Sequence, residues 1–445
     1  VHNYLDHETT VMVDLQIPHD LLVFVDRMAT QRQVSIKAGQ EVTINWQVRA
    51  MNEGLARITV TAKGDEASDA MAMSIPVLIH GSMQQHAQTA IVAQDDLDKT
   101  LTLELNLPDK IQPQQTELYV SFSPTLIGTM LDALPYLLDY PYGCTEQTVS
   151  RFVPAVQVRK TLQDMGLSLA DIKKQFPAKM DGKPYRHPWN DSPIFDDVQM
   201  DKLIKDGLRR ILSMQHSDGG WGWWKEGESK IYLTTHVLYA LQSAQESGVD
   251  VEPNILRQAA NWLQNAVNED IQREHWEPNA QTAYAAYVLA KAGIKGDWIE
   301  KLHSGRDKLN LYGKALLALS LHQLEQKENA QTVLRNIMQY RKDNMETKLS
   351  WFDIPNGGGW WYWYNSDIET HAWILRAMTV ITPKDEASPR LIKWLLNHRQ
   401  NGYYWRSTRD TALCIDAMSS YVTTTGESDA NYTLTLDVDN GKFTK

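Results

Sequence analysis

Cys144 and Gln147 are the two residues whose types and spacing point to unusual chemistry. They lie in Tyr140-Pro141-Tyr142-Gly143-Cys144-Thr145-Glu146-Gln147, after a tight Pro/Gly turn and ahead of a helical pattern. That spacing lets the Cys144 thiol reach the Gln147 carboxamide. Attack there forms a sulfur–carbon bond, breaks the carbon–nitrogen bond and expels ammonia. The product is an internal thioester, with Gln147 as an activated acyl group and Cys144 as its leaving group. A chain holding that bond captures a nucleophile covalently, once. The plain alternative is a lone cysteine serving as an inert small hydrophobe. The neighbours favour the reactive reading. Tyr140 and Tyr142, with Pro141, offer an aromatic wall against the water that hydrolyses a thioester. A helix expected from Glu146 to Val153, interrupted by Pro154, sets Cys144 near a helix N-terminus, which favours a thiolate.

The bulk properties bound the setting for this chemistry. A chain of 445 residues has room for two to four domains, and 42% hydrophobic residues is ample for packed cores. No apolar run approaches the ~20 residues of a membrane helix. A net charge of −11 without Lys/Arg clusters argues against a nucleic-acid partner. Two cysteines make no disulfide framework, and Cys414, within the helical pattern Thr411–Met418, reads as core. No Cys/His set has zinc spacing, so neither metal nor cofactor is expected. Val1 at the start, and the Asp439-Asn440-Gly441 turn so close to Lys445, give the expectation of a soluble piece of something longer.

Three regions must position the motif. Up to about Val120 the pattern has period two, as in Val11–Leu15, Val42–Val48, Ala56–Val60 and Leu101–Leu107. Such strands predict antiparallel sandwiches, the first ending near Ile79-His80-Gly81. From about Thr125 to Val422 the period is helical, and fourteen of the fifteen tryptophans lie between Trp189 and Trp405. An internal repeat organises this region. The loops at Gly219–Trp224, Gly357–Trp363 and Asn401–Trp405 each lead into a Thr and then an Ala-rich helix, and His275-Trp276 does so without glycines. The Thr is expected to start each helix. The Gly/Trp loops favour a closed α/α toroid over an open solenoid. Lys174 to Asp197 reads as a polar loop without chemistry. Tyr432 to Val438 reads as a final strand pairing with those that precede the helices, which makes the helical domain an insertion into a β unit.

A β-sandwich, a split β unit and PYGC-x-EQ at the start of a helical toroid together resemble the thioester region of the bacterial alpha-2-macroglobulins. That superfamily also holds the thioester-containing complement components. The resemblance implies a macroglobulin-like sandwich over 1–80, a CUB-like β unit in two parts at 81–122 and 425–445, and an α/α toroid thioester domain over 123–424. It implies a protease inhibitor that rearranges after a bait segment is cut and is then attacked by a lysine amine of the protease. No bait segment is recognisable in this chain. By the resemblance Gln147 is the acyl donor, Cys144 the released thiol and Glu146 the motif acid, with Tyr140 and Tyr142 as candidates for the shielding pocket. A periplasmic, often lipid-anchored, full-length protein is implied too. The motif departs from complement-type members at Thr145, where those carry Gly, a position that tolerates variation.

Complement-type members use a downstream histidine to direct transfer onto hydroxyls. Here His236 and His275 are the nearest choices, and neither sits in a matching motif. Core or loop roles suit them better, which favours direct attack by amines. Two other readings compete. Gln215–Gly222 resembles the aromatic repeats of toroid-shaped cyclases, yet no Asp-rich motif lies on an expected helix. Asp95-Asp96 reads as a turn and Asp196-Asp197 ends a loop. A cysteine hydrolase would need a histidine and an orienting residue that the sequence does not suggest. The remaining alternative is a non-reactive scaffold in which Cys144 and Gln147 never join.

Overall fold

The computed structural model describes residues 1–25, 30–78, 125–138, 143–164, 196–355, 366–400, 402–426, 435–438 and 441–444. It also describes short pieces at 81, 89–90, 111, 116, 120, 166, 168–169, 179–180 and 183–184. The chain divides into two compact units, Val1–Gln85 and His86–Lys445.

In the first unit β1 (Thr9–Gln16), β2 (Leu22–Phe24), β3 (Gln31–Ile36), β4 (Val48–Ala50), β5 (Gly54–Lys63) and β6 (Ser68–Val77) form two antiparallel sheets. Their orders are β3-β1-β5-β6 and β2-β4. Alternation drives the arrangement: Val11, Val13 and Leu15 of β1 turn inward while Met12 stays exposed. Leu15 and Ala56 of the larger sheet share a core with Leu22 and Phe24 of β2. The Val42–Val48 stretch differs from expectation, because only Val48 belongs to a strand. Val42, Ile44 and Trp46 nonetheless pack against the second core patch around Val13 and Ile36. Period two there reports which side is buried and not a backbone ladder. The expected strand Leu101–Leu107 lies outside the described residues.

The second unit is helical. Its helices are α1 (Leu126–Leu138), α2 (Thr145–Asp164), α3 (Asp197–Ser213), α4 (Ile231–Glu246), α5 (Pro253–Asp270) and α6 (Ala280–Lys291). They continue with α7 (Asp297–Ser304), α8 (Leu311–Gln323), α9 (Lys327–Met338), α10 (Asp367–Ile381), α11 (Ala387–Asn397) and α12 (Thr408–Thr425). Short pairs β7 (Lys179–Met180) with β8 (Lys183–Pro184) and β9 (Arg341–Asn344) with β10 (Leu349–Phe352) decorate them. β11 (Thr435–Val438) pairs antiparallel with β12 (Gly441–Thr444), and among the described residues the expected pairing of the Tyr432–Val438 strand with strands ahead of the helices is not present.

Two kinds of helix alternate along the chain. Odd-numbered α5 buries Ala259, Leu263 and Val267, one stripe at a spacing of four. Even-numbered α4 is buried on every side from Tyr232 to Ala244. The even helices pack in a circuit, α2 on α4, α4 on α6, α6 on α8, α8 on α10, α10 on α12, and α12 back on α2. The odd helices lie against them from outside. Residues of like position meet across the circuit. Arg409 in the first turn of α12 pairs with Glu369 in the first turn of α10, and Thr161 near the end of α2 bonds Ser419 near the end of α12. The inner helices that carry these contacts run parallel.

The repeat has a mechanical reason. The indole N–H of Trp221 donates to the Ile211 carbonyl at the end of α3, and that of Trp405 to the Leu395 carbonyl near the end of α11. The backbone N–H of each tryptophan donates to a threonine hydroxyl in the next inner helix, Thr234 and Thr411 respectively. The threonines are therefore not the helix starts that the pattern suggested. Asn279, Ser366 and Ser407 cap α6, α10 and α12 with the threonines further inside, and Thr234 and Thr411 grip their loops. The Gly357–Trp363 loop lies outside the described residues. Pro154 does not interrupt α2, which runs through it for 20 residues. A fully packed inner position outweighs the lost N–H there, because burial on all sides holds the helix that propensity alone would break.

Candidate functional site

Cys144 is the N-cap of α2. Its carbonyl accepts from the Thr148 N–H at 3.0 Å and the Thr148 hydroxyl at 2.9 Å. Its sulfur accepts from the Gln147 N–H at 3.5 Å, the contact a capping side chain makes to the third helical residue. These are the two positions of a capping box, where each side chain reaches the other residue's backbone N–H. The Cys-x-Glu-Gln spacing is therefore a helix-start geometry that sets the thiol against the backbone of Gln147. Cys144 is 8% exposed, and Gln147 is half-buried.

Burial pushes the Cys144 thiol above its ordinary pKa, against the pull of the backbone amides around the sulfur. This corrects the expectation that the helix start makes a thiolate. Desolvation in the closed site outweighs those amides. Glu146 is also buried, accepts from the Ser150 hydroxyl at 2.7 Å, and is raised by desolvation despite Arg409. Tyr140 and Tyr142 lie outside the described residues.

The motif is held from outside its own helix. Thr145 donates its N–H to the Trp223 carbonyl and its hydroxyl to the Gly222 carbonyl, and Arg210 of α3 donates to the Gly143 carbonyl. Further along the same end of the circuit, the buried Arg409–Glu369 pair lies with the Arg409 guanidinium 5.2 Å from the Tyr232 ring centre. Glu146, Glu369 and Asp410 are buried carboxyls in the first turns of inner helices, the ends where the peptide dipoles favour negative charge. Sequence reading missed Arg210, Arg409 and Glu369. The available signal was charge in the first turn of helices that are otherwise apolar all round.

The two histidines fare as core and surface. His236 is 4% exposed, with Nδ1 3.2 Å from the Tyr284 hydroxyl, and burial lowers its pKa to about 3. His275 is an exposed turn residue with positive φ. Cys414 is fully buried. Among the described residues no group of three or more His, Cys, Asp or Glu is arranged to hold a metal, and no helix is long and apolar enough to cross a membrane.

Known proteins share this fold. The Salmonella alpha-2-macroglobulin reacted with methylamine superposes with a TM-score of 0.50 at 17% identity, covering 100% of this chain and 27% of that one. The native Escherichia coli alpha-2-macroglobulin from domain MG7 to the C-terminus gives 0.51 at 20%, covering 100% and 65%. These likenesses are of fold. In sequence the chain is 25% identical over 432 residues to the alpha-2-macroglobulin of Thermotoga maritima, covering 96% of this chain and 23% of that protein. It is 22% identical over 418 residues to thioester-containing protein 1 allele R1 of Anopheles gambiae, covering 90% and 29%. The chain thus spans about a quarter of the length of these curated relatives. The A-macroglobulin TED domain model matches residues 120–276 and 290–421, well over half of the chain, and the chain belongs to that family.

Proposed function

We propose that Cys144 and Gln147 join in an internal thioester, and that the protein of which this chain is part traps proteases covalently through it. The observation that carries the reading is the cap geometry, with the Cys144 sulfur 3.5 Å from the Gln147 N–H and Cys144 itself 8% exposed. In formation, the sulfur bonds the Gln147 carboxamide carbon, and ammonia leaves with the thiol proton. In capture, a lysine amine of the protease bonds that carbon, the carbon–sulfur bond breaks, and the sulfur takes the proton the amine releases. The protein is then spent, so it is an inhibitor and not an enzyme. On this reading the helical circuit is an α/α toroid spanning 123–424. Segments 81–122 and 425–445 are two parts of a CUB-like unit, 1–80 is a macroglobulin-like sandwich, and the whole protein works in the periplasm, held there by a lipid.

Intact mass with and without methylamine tests the reading. A starting mass short by one ammonia, then one methylamine adduct at Gln147 and a newly alkylatable Cys144, supports it. A full mass with Cys144 already alkylatable and Gln147 unchanged supports the non-reactive scaffold instead.

A further inference from the structure

Thr145 lies between the two reacting side chains and is gripped at two points by another part of the fold. Its N–H donates to the Trp223 carbonyl at 3.0 Å and its hydroxyl to the Gly222 carbonyl at 2.6 Å. Thr145 is 1% exposed and Gly222 is buried, so the hydroxyl bond is dry. On the other side of Cys144, Arg210 donates to the Gly143 carbonyl at 2.8 Å. Of the two glycines only Gly222 is dictated, because its approach is to backbone, whereas the Arg210 side chain beside Gly143 can swing aside. A Cβ on Gly143 would stand 2.2 Å from Arg210 Nη2, and one on Gly222 would stand 2.5 Å from the Glu228 carbonyl oxygen.

The loop between α3 and α4 is itself tied down. His216 Nε2 lies 2.9 Å from the Trp224 carbonyl and Nδ1 lies 2.9 Å from the Ser229 hydroxyl. Ser229 donates to Asp218, which also accepts the Gly220 N–H and the Trp262 indole N–H from α5. The contacts of His216, Ser229 and Asp218 do not touch α2 itself, whose first-turn N–H groups of Thr145 and Gln147 go to the Trp223 carbonyl and the Cys144 sulfur. They fix where the motif sits relative to the rest of the domain.

We propose that this loop and Arg210 form a clamp that sets the lifetime of the thioester, with Thr145 as its positioning residue. The proposal rests on the thioester reading above. While Thr145 is held, the Cys144–Gln147 ring stays at the start of α2 and its acyl carbon is sheltered. When the loop shifts, the ring is released to water or an amine. A C–O or C–N bond then forms at the Gln147 acyl carbon, the C–S bond breaks, and the sulfur takes the proton given up by the incoming oxygen or nitrogen.

The test is the rate of thiol release from the folded chain in plain buffer and in methylamine, followed by alkylation and intact mass. Thr145→Val leaves the Gly222 carbonyl buried without its donor, and both rates are expected to rise about tenfold. Thr145→Ser restores the hydroxyl and should stay within about twofold of wild type. A purely structural role would lower the melting temperature without changing the rate per folded molecule, and that result overturns the clamp. So does a Thr145→Ser variant that behaves like Thr145→Val. Should Thr145→Val not fold, Asp218→Ala decides: it loosens the loop without touching the motif, and an unchanged rate there overturns the proposal. A wild-type chain with its full mass and Gln147 intact overturns the thioester reading and the clamp together. A wild-type chain short by an ammonia, with unchanged variant rates, overturns the clamp alone.

Discussion

The burial that keeps water from Cys144 also keeps its sulfur from leaving. A thiol whose pKa is raised by desolvation is a poorer leaving group, so burial of Cys144 protects a thioester in two ways at once. After aminolysis the same environment governs the freed thiol. In the folded chain at pH 7 its thiolate fraction is below that of an ordinary cysteine. Its alkylation by iodoacetamide is therefore expected to be slower than that of a cysteine in an unfolded peptide, and to keep accelerating as pH rises past 9. Equal rates for the folded and urea-unfolded chains at pH 7 would contradict the raised pKa. Side-chain length matters as much as burial. Gln147→Asn shortens the acyl arm by one methylene while keeping the carboxamide, so the carbon no longer reaches the sulfur. Its expected intact mass shows no missing ammonia, and Cys144 is alkylatable from the start. An ammonia deficit in that variant would mean that the cap geometry is not what selects the pair.

Outer and inner helices are joined by the tryptophan–threonine grip, and its cost of loss is open to measurement. In Thr411→Val the Trp405 N–H stays buried without an acceptor, a loss of about 1–3 kcal/mol. Urea denaturation should register that destabilisation, and a midpoint equal to wild type would remove the grip from the forces holding the repeat. This element was half legible in the sequence. Spacing of loop tryptophan, threonine and Ala-rich helix displayed the repeat, because those residues recur with their contacts. The role of each threonine was hidden, because a cap and a first-turn residue gripping a distant loop look alike in sequence. Pro154 misled for a related reason: local propensity marks it as a break, whereas α2 is held by neighbours on every side. The motif itself was the most legible part, since four consecutive residues carry both chemistry and cap. Its anchors were not. Arg210 and Gly222 stand 67 and 77 residues from the backbone and side-chain groups they hold.

At the scale of the molecule, the circuit of inner helices gives each one two inner neighbours, and no inner face is left for solvent as at the ends of an open stack. Polar groups inside that circuit are thereby sealed, and their protonation becomes part of folding. His236 is lowered to about 3 and His371 to about 4 by burial. His371 also has both nitrogens engaged, Nδ1 donating to the Asp367 carbonyl and Nε2 accepting the Phe352 N–H. A histidine with a depressed folded pKa binds no proton in the native state while the unfolded chain begins to do so near 6.5. Its contribution is therefore complete above that pH and is lost as pH falls toward the folded value, by a few kcal/mol for each ring. Desolvated carboxyls work the other way. Asp132, half-buried on the outer helix α1 and pushed up to about 8 by desolvation against the opposing pull of Arg399, and Glu146, raised in the same sense, favour the native state as pH falls. The wild-type curve alone thus mixes opposite slopes. The difference between wild type and His236→Phe isolates one ring. That variant loses the contact to Tyr284 and is less stable at pH 7.5, but it has no proton to exclude. Its deficit is expected to shrink steadily between pH 6.5 and 4, measured by urea denaturation at each pH. A deficit that stays constant across that window would mean that His236 is not held neutral by the closed core.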